Sequence, residues 1–302
     1  MTRLFHVSDL HFGREDKEAI AWFADMVRAE MPDAVICTGD LTMRARSREF
    51  EAAGRYLESL PVPVTVEPGN HDLPYFNPWD RFFSPYRRYF RVERLIERPL
   101  ELANVTIIPL KTTARAQWRH NWSWGVVNKK SLAEALARLK DSDEDHIRIV
   151  ACHHPLVDKQ GLESRGRTLR GREALRALAE AGAHAVLSGH VHDPFDIEHV
   201  IAGRTIRKIG AGTLSERLRS TRPSFNELRI ENGALHVLGG AEPDFDRGAR
   251  LEIPQLSLHK SAQVTGRSVP KVHYPVRHTL VDDNHAAANI IRLHGLAPPR
   301  FE

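Results

Sequence analysis

Five short polar motifs occur in order within the first two thirds of the 302-residue chain, and each contains side chains that can bind a metal ion. Each motif follows a segment that reads as a buried strand, and in an open α/β sheet ligands bind at the carboxyl ends of the strands. Carboxylate, imidazole and amide groups together suit borderline divalent or trivalent metals. The pattern therefore predicts a metal site built from the motifs Asp9-Leu-His11, Gly39-Asp40, Gly69-Asn-His-Asp72, His153-His154 and Gly189-His-Val-His192.

The segments between these motifs alternate between strand-like and helix-like patterns, which predicts βαβ units and a sheet with helices on its faces. After residue 192 the helical patterns stop and several strands separated by tight turns follow. Residues 74–99 are rich in aromatic residues and arginine and show no clean periodicity. The predicted strands are 4–8, 34–38, 62–66, 105–110, 147–152, 185–188, 197–202, 204–209, 226–231 and 234–238, and the predicted helices are 17–30, 47–59, 131–140, 172–181 and 284–294.

Taken in order, the five motifs resemble the pattern of the calcineurin-like metallophosphoesterase superfamily, which is Asp-x-His, Gly-Asp, Gly-Asn-His-Asp/Glu, His and Gly-His-x-His. One such motif alone carries little information, whereas five in series are specific. The resemblance implies an α/β fold, a four-layer α/β/β/α sandwich of two mixed sheets flanked by helices. It assigns residues 1–242 to the catalytic domain, with substrate-cap insertions at 74–99 and 111–125, and leaves 243–302 as an extension of unknown role.

The resemblance also assigns roles to individual residues. Two divalent or trivalent ions, such as manganese, iron or zinc, are implied, with Asp40 bridging them. His71 and Asp72 are implied as catalytic residues: His71 faces the substrate and Asp72 holds its ring, although a turn or helix-cap role for Asp72 is equally open. The implied ligands of one ion are Asp9, His11 and His192, and those of the other are Asn70, His153 and His190.

The motif style is closest to the bacterial class III cyclic-nucleotide phosphodiesterases. That branch implies hydrolysis of a phosphodiester, such as 3′,5′-cyclic AMP or a small diester, by in-line attack of a metal-bridging hydroxide. Met43 stands where protein phosphatases have an acidic partner for the catalytic histidine, which argues against a protein phosphatase. The alternatives are an Mre11-like nuclease and a hydrolase of glycerophosphodiesters or lipid-linked phosphate esters. A non-enzymatic scaffold is disfavoured because every expected ligand position is filled.

Substrate contacts are expected from the insertion at 111–125, which holds three of the five tryptophans of the chain. Aromatic faces can stack on a base, and arginine can hold phosphate. A loop whose tryptophans pack onto the core is an equally good interpretation. The candidates for substrate binding are Arg115, His120, Trp122 and Trp124, together with His154, which the family pattern leaves without a metal and which would either face the substrate or support the neighbouring ligands.

Composition bounds the remaining possibilities. With 41% hydrophobic and 27% charged residues, the chain reads as globular, and no apolar run approaches the length of a membrane span. A net charge of +4 over 302 residues argues against a nucleic-acid partner. The resemblance implies a small-molecule diester as substrate. Two cysteines and the absence of a signal-peptide pattern predict a cytoplasmic protein. A homo-oligomer remains open.

Overall fold

The computed structural model describes residues 1–98, 100–115, 121–158, 168–241 and 289–291. Within these residues, no helix combines the length and the apolar character needed to cross a membrane. In chain order the elements are β1 (Thr2–Val7), α1 (Lys17–Glu30), β2 (Ala34–Cys37), α2 (Ser47–Glu58), β3 (Val64–Val66), a 3-10 turn (Asn70–Asp72), α3 (Pro78–Phe83), α4 (Arg87–Ile96), β4 (Leu100–Leu102), β5 (Val105–Pro109), α5 (Lys129–Asp141), β6 (Ile147–Ala151), α6 (Gly171–Glu180), β7 (Ala185–Ser188), β8 (Phe195–Ile201), β9 (Arg204–Gly210), β10 (Ser224–Glu231), β11 (Ala234–Ala241) and β12 (Asn289–Ile291).

Two five-stranded mixed sheets form the centre of the fold. The first has the order β11-β10-β1-β2-β3, in which β1, β2 and β3 run parallel and β10 and β11 antiparallel. The second has the order β5-β6-β7-β9-β8, with only β8 antiparallel. In both sheets the parallel strands bring their carboxyl ends to one edge.

Three buried clusters separate four layers. On the strands, successive side chains point to opposite faces, so neighbours such as Leu4 and Phe5 belong to different clusters. Leu4 packs between the two sheets, where it joins residues such as Ile149 of β6. Phe5 packs outward with residues of α1, α2 and α4, and Val150 packs with residues of α5 and α6 on the far side. This α/β/β/α sandwich confirms the fold class expected from the motifs.

The helices begin where the sequence supplies a cap. The Asp16 carboxylate accepts hydrogen bonds from the backbone N–H groups of Glu18 and Ala19 at 3.1 and 3.3 Å, satisfying donors that the first turn leaves open. The helix that follows buries an apolar face with Phe23 and Val27 at helical spacing. It ends at Met31, which has a left-handed backbone.

Several elements differ from the sequence prediction. Helices α3 and α4 and strand β4 lie within 74–102, for which no element was predicted. Helix α4 buries Tyr89, Val92 and Ile96, and its solvent face is mainly arginine, so the alternation of aromatic residues and arginine hides the helical period. A helix was predicted at 284–294, but β12 lies within it and pairs antiparallel with β4. The rest of the predicted extension 243–302 lies outside the described residues, and the assignment of domains stays a prediction.

Candidate metal centre

The five motifs meet at the edge where the parallel strands of both sheets end. Asp9 and His11 follow β1, Asp40 follows β2, and Asn70 follows β3. The second sheet contributes the histidine after β6 and the two after β7. Both sheets therefore contribute side chains to one site, and all seven proposed ligands reach it: Asp9, His11, Asp40, Asn70, His153, His190 and His192.

Glycines allow the loops at this edge to approach one another. A Cβ atom at Gly69 would overlap Asp40, and one at Gly189 would overlap Ser8 and Asp9. Gly39 has a φ of +100°, a conformation that other residues rarely adopt. The glycines of the motifs thus let neighbouring loops pack closely enough for their side chains to converge.

One group of ligand atoms surrounds Asp9. Its Oδ1 atom lies 3.0 Å from His192 Nε2 and 3.5 Å from His11 Nε2, and the two imidazole nitrogens are 3.3 Å apart. The carboxylates and rings involved are almost completely buried. The same His11 nitrogen lies 3.7 Å from Asp40 Oδ2, which connects this group to the next.

A second group of ligand atoms surrounds His153. Its Nε2 atom lies 3.4 Å from Asp40 Oδ2 and 3.2 Å from Asn70 Oδ1. The His190 ring packs edge-on against the His153 ring, with centroids 5.2 Å apart. Asp40 Oδ2 therefore lies near an imidazole of each group, as a bridging ligand would.

The donor set fits metal ions. Ligands at about 2.0–2.2 Å from an ion in tetrahedral or octahedral geometry are about 2.8–3.6 Å apart, which is close to the separations found here. Asp9 Oδ1 is buried and faces the Nε2 atoms of His192 and His11, and a cation could take a place among these three atoms. The Nδ1–H groups of His153 and His192 donate to the carbonyls of Thr38 and Arg217 at 2.7 Å, which leaves both Nε2 atoms facing the site.

The charges within the site compensate one another. Burial alone would raise the pKa of Asp9, but the adjacent imidazoles of His192 and His11 hold it well below its ordinary value. Burial alone would lower the pKa of His153, but Asp40 raises it to about 9. Burial and the neighbouring His153 lower the pKa of His190 to about 3. A bound cation would replace the proton on His153, because only a neutral imidazole binds metal.

His71 lies beside both groups with its ring held by the backbone. Its Nδ1–H donates to the carbonyl of Met43 at 2.8 Å, so Nε2 carries the lone pair, accepts from Arg217 Nη1 at 3.0 Å and belongs to the lining of the cavity described below. The backbone N–H of His71 donates to Asp40 Oδ1 at 2.8 Å. The side chain is thus oriented toward the site, where its ligand atom lies within 4.8 Å of those of His11 and Asp40.

The expected role of Asp72 in holding the His71 ring is wrong. The Asp72 carboxylate accepts from the N–H groups of Leu41, Thr42 and Gly69 at 3.1, 2.8 and 2.9 Å, and from the Thr42 hydroxyl. Burial and the nearby Asp40 raise the pKa of Asp72 to about 7. Asp72 therefore links the loop after β2 to the loop after β3. The carbonyl of Met43, and not Asp72, orients the His71 ring.

His154 does not face a substrate either. Its ring is completely buried and bonded at both nitrogens: Nε2–H donates to the carbonyl of Ser123, and Nδ1 pairs with the Thr112 hydroxyl, both at 3.0 Å. Burial and the neighbouring His190 keep the pKa of His154 well below its ordinary value. The neutral ring thus attaches the loop at 121–125 to the floor of the site.

A cavity of about 500 Å³ opens over the two ligand groups. This volume suits a small molecule. Its lining includes the proposed site residues Asp40, Asn70, His71, His190 and His192, the apolar residues Trp124, Pro155, Val157 and Phe195, and the charged residues Asp158, Asp193, Arg217 and Arg219. The cavity therefore combines polar, charged and aromatic side chains.

The four loop residues proposed to bind substrate separate in the structure. Trp124 lines the cavity. Trp122 packs instead on the guanidinium of Arg81, 5.4 Å from its ring centroid, and edge-on against Phe82. Arg115 is exposed, and its guanidinium donates to the carbonyl of Phe82 in α3 at 3.1 Å. The substrate-binding roles expected of Arg115 and Trp122 stay predictions, and His120 lies outside the described residues.

Arg217 is a site residue that the sequence analysis missed. Its Nη1 atom lies 3.0 Å from His71 Nε2 and 3.3 Å from His11 Nε2, and it lines the cavity. A strand was predicted at 204–209, and the segment that follows a parallel strand reaches the edge of the sheet where the ligands lie. Because Arg217 belongs to no recognisable motif, the sequence did not distinguish it from the other arginines of the chain.

Comparisons with known proteins agree with this geometry. Residues 2–194 match a family model described as calcineurin-like phosphoesterase. A curated relative from Enterobacter lignolyticus, glycerophosphodiester phosphodiesterase GpdQ, is 34% identical over 80 residues. That match covers 23% of this chain and 29% of the relative, so the chain matches less than a third of the relative's length.

Two solved structures share the fold at low sequence identity. A dimetal phosphatase from Danio rerio superposes with a TM-score of 0.55 at 13% identity, over 76% of this chain and 92% of its own. The purple acid phosphatase PPD1 from yellow lupin (Lupinus luteus) superposes with a TM-score of 0.56 at 13% identity, over 79% of this chain and 51% of its own. At such identities these likenesses concern the fold alone.

Proposed function

The chain belongs to the calcineurin-like phosphoesterase family, and on that premise we propose that it is a metal-dependent phosphodiesterase acting on a small phosphodiester. The observation that carries the proposal is the convergence of buried carboxylate and imidazole atoms on Asp9 Oδ1 and Asp40 Oδ2, with Asp9 Oδ1 otherwise unpartnered among the described residues. Asp9, His11 and His192 would hold one ion, Asn70, His153 and His190 the other, and Asp40 would contact both.

The bound ions would supply Lewis acidity toward the phosphoryl oxygens and toward water. The residues of the chain position the ligand atoms and contact the substrate. The buried carboxylates and the carbonyls behind His153 and His192 fix the ligand atoms in place before substrate arrives. His71 presents Nε2 to the cavity, where a ring that also carries a proton on Nε2 can donate to a phosphoryl oxygen or protonate the leaving oxygen.

Two features support a small diester over the other candidates. The cavity of about 500 Å³ suits a small molecule and gives no support to an Mre11-like nuclease. The curated relative is named for glycerophosphodiesters, which favours that substrate as a second candidate beside a cyclic nucleotide. The aromatic side chains of Trp124 and Phe195 in the cavity lining suit a flat or apolar group in either case.

A hydrolysis panel on metal-reconstituted protein tests the proposal. The panel compares 3′,5′-cyclic AMP, glycerophosphocholine, bis-4-nitrophenyl phosphate and 4-nitrophenyl phosphate, each with manganese, zinc or iron, and with a chelator as control. We expect diesters to be hydrolysed faster than the monoester, and no hydrolysis with chelator. Activity confined to the monoester, or equal activity after complete metal removal, contradicts the proposal.

A further inference from the structure

The Arg217 guanidinium lies at the centre of the site on a rigid support. Its segment follows β9 and is fastened to the ligand loops: the Thr213 hydroxyl donates to the carbonyl of Asp9 at 2.6 Å. The carbonyl of Arg217 itself accepts from His192 Nδ1–H at 2.7 Å. The backbone of this residue is therefore fixed relative to two proposed ligands, and a change of its side chain leaves that backbone contact in place.

The charge of Arg217 has no carboxylate partner within the part of the chain that the structure describes. Its Nη1 atom contacts His71 Nε2, His11 Nε2 and, at 3.9 Å, Met43 Sδ, none of which is anionic. The residue is half-buried at the cavity. Its remaining donors are therefore available to an anion that enters through the cavity.

We propose that Arg217, placed beside His71, forms an oxyanion subsite that binds a non-bridging oxygen of the phosphoryl group, which makes Arg217 a catalytic residue. This inference rests on the proposed function. The guanidinium carries five donors in a planar fork that matches phosphate oxygens. Hydrolysis of a diester builds negative charge on the phosphoryl oxygens, and a fixed cation beside them stabilises the transition state more than the substrate.

The test compares Arg217→Ala and Arg217→Lys with a matched control, Arg14→Ala. Arg14 is 63% exposed in its side chain and pairs with Glu216, the neighbour of Arg217, at 3.1 Å. Each variant is loaded with metal, and its metal content is measured by mass spectrometry. Binding of inorganic phosphate is then measured by calorimetry, and hydrolysis of bis-4-nitrophenyl phosphate by steady-state kinetics.

We expect Arg217→Ala to keep its metal content, to bind phosphate about 10–100-fold more weakly, and to lose on the order of 10²–10³ in kcat with a smaller change in KM. Arg217→Lys should recover part of the phosphate affinity and part of kcat, because lysine restores the positive charge but not the planar set of N–H donors. Arg14→Ala should bind phosphate within about twofold of the wild type, because an exposed charge is screened.

Three results would overturn the subsite: loss of metal from Arg217→Ala, phosphate affinity and kcat equal to those of Arg14→Ala, or no phosphate binding by the wild type. Failure of the proposed function looks different. In that case the wild type hydrolyses no ester in the panel, while its phosphate affinity still depends on Arg217.

Discussion

At the scale of single residues, an uncommon backbone conformation with positive φ sets the direction of most proposed ligand side chains. Five of the seven have a left-handed conformation, with φ between 47° and 68°: Asp9, His11, Asp40, His190 and His192. Such a conformation costs on the order of 1 kcal/mol or more for a residue other than glycine, and it persists where the surroundings enforce it. The strain therefore concentrates at the site, where close packing and metal binding can offset it.

Asp40 is the ligand whose loss should cost most, because its Oδ2 atom is shared by the two groups. We expect Asp40→Asn to abolish activity and to lower metal content by more than one equivalent. The Asn side chain keeps the acceptor for the His71 N–H, so the change removes charge with little change of shape. Metal content is measured by mass spectrometry against Asp25→Asn, an exposed residue paired with Arg28. Two tightly bound ions in Asp40→Asn would rule out a bridging role.

His71 should affect chemistry and not metal binding, since its ring contacts the carbonyl of Met43 and the guanidinium of Arg217. We expect His71→Ala to keep both metals and to lose on the order of 10²–10⁴ in kcat. If His71 protonates the leaving oxygen, the loss is smallest for nitrophenyl esters, whose leaving group needs no proton. An equal loss for all leaving groups would instead assign it to charge stabilisation, and loss of a metal would reject both roles.

Motif spacing was enough to predict which residues meet, but not how they meet. The spacing of Asp9 and His11 does not reveal that both residues adopt a positive φ, which sets the direction of their side chains. The roles of Asp72 and His154 depend on partners more than 25 positions away, such as Thr42 and Ser123. Contacts of that kind follow from tertiary packing, which spacing within a motif does not encode.

At the scale of elements, the loop at 121–125 places its two tryptophans in different environments. We expect Trp124→Ala, at the cavity wall, to raise KM about tenfold for a substrate with a base and to change KM little for a small generic diester. Trp122→Ala should instead lower the melting temperature, because its ring packs on Arg81 and Phe82. Equal KM values for Trp124→Ala and wild type on both substrates would remove Trp124 from the substrate wall.

The regular strands and helices were the most predictable part of the fold. Helix α1 and strand β7 have the predicted bounds, because α1 has a clear helical period and β7 is a short, fully buried run bounded by His184 and Gly189. Helix α4 was missed although Tyr89, Val92 and Ile96 recur at helical spacing, since arginine and aromatic residues alternate around them. The period of a helix is thus hard to read where long polar side chains and aromatic rings share a face.

The contact between β3 and α4 brings three glutamates together. Burial and the charge of Glu93 raise the pKa of Glu97 to about 8, and burial and Glu97 raise that of Glu67 well above its ordinary value. Glu97 also accepts a long hydrogen bond from the Thr65 hydroxyl, while Lys111 and Arg138 supply the facing positive charge. In the folded protein the neutral form of Glu97 is therefore favoured.

The raised pKa of Glu97 predicts that its contribution to the free energy of unfolding depends on pH. Above pH 4.5 the unfolded chain releases the Glu97 proton while the folded protein keeps it to about pH 8, so its contribution to stability falls over that interval. We expect Glu97→Gln to raise the free energy of unfolding by on the order of 1 kcal/mol at pH 8 and by little below pH 4.5. Urea unfolding at both pH values measures this. A stabilisation of equal size at both would contradict the titration.

At the scale of the whole molecule, the site joins the two sheets. Three of its loops follow strands of the first sheet, and the others follow β6, β7 and β9 of the second. The sheets also meet through Asn226 of β10, whose amide donates to the Gly210 carbonyl and to His6. Ions bound at this edge would therefore stabilise the relative position of both sheets, and not one loop alone.

The extent of the folding unit leads to the last prediction. The family match ends at residue 194, yet β8, β9, β10 and β11 follow it and complete both sheets. Strand β10 pairs with β1 along five residues, and the segment after β9 carries Arg217. A chain ending at residue 194 thus lacks four of the ten strands of the two five-stranded sheets, whereas one ending at 242 keeps all ten.

We expect the fragment 1–242 to fold cooperatively, to bind metal like the full chain, and to keep kcat within about threefold, because β12 is the one described strand it loses. The fragment 1–194 should fail to fold, since it exposes the β1 edge and the apolar face that Leu228 and Ile230 cover. Circular dichroism, thermal melting and metal analysis of both fragments measure this. If 1–242 also fails to fold, residues beyond 242 belong to the folding unit, and the boundary predicted from the sequence is wrong.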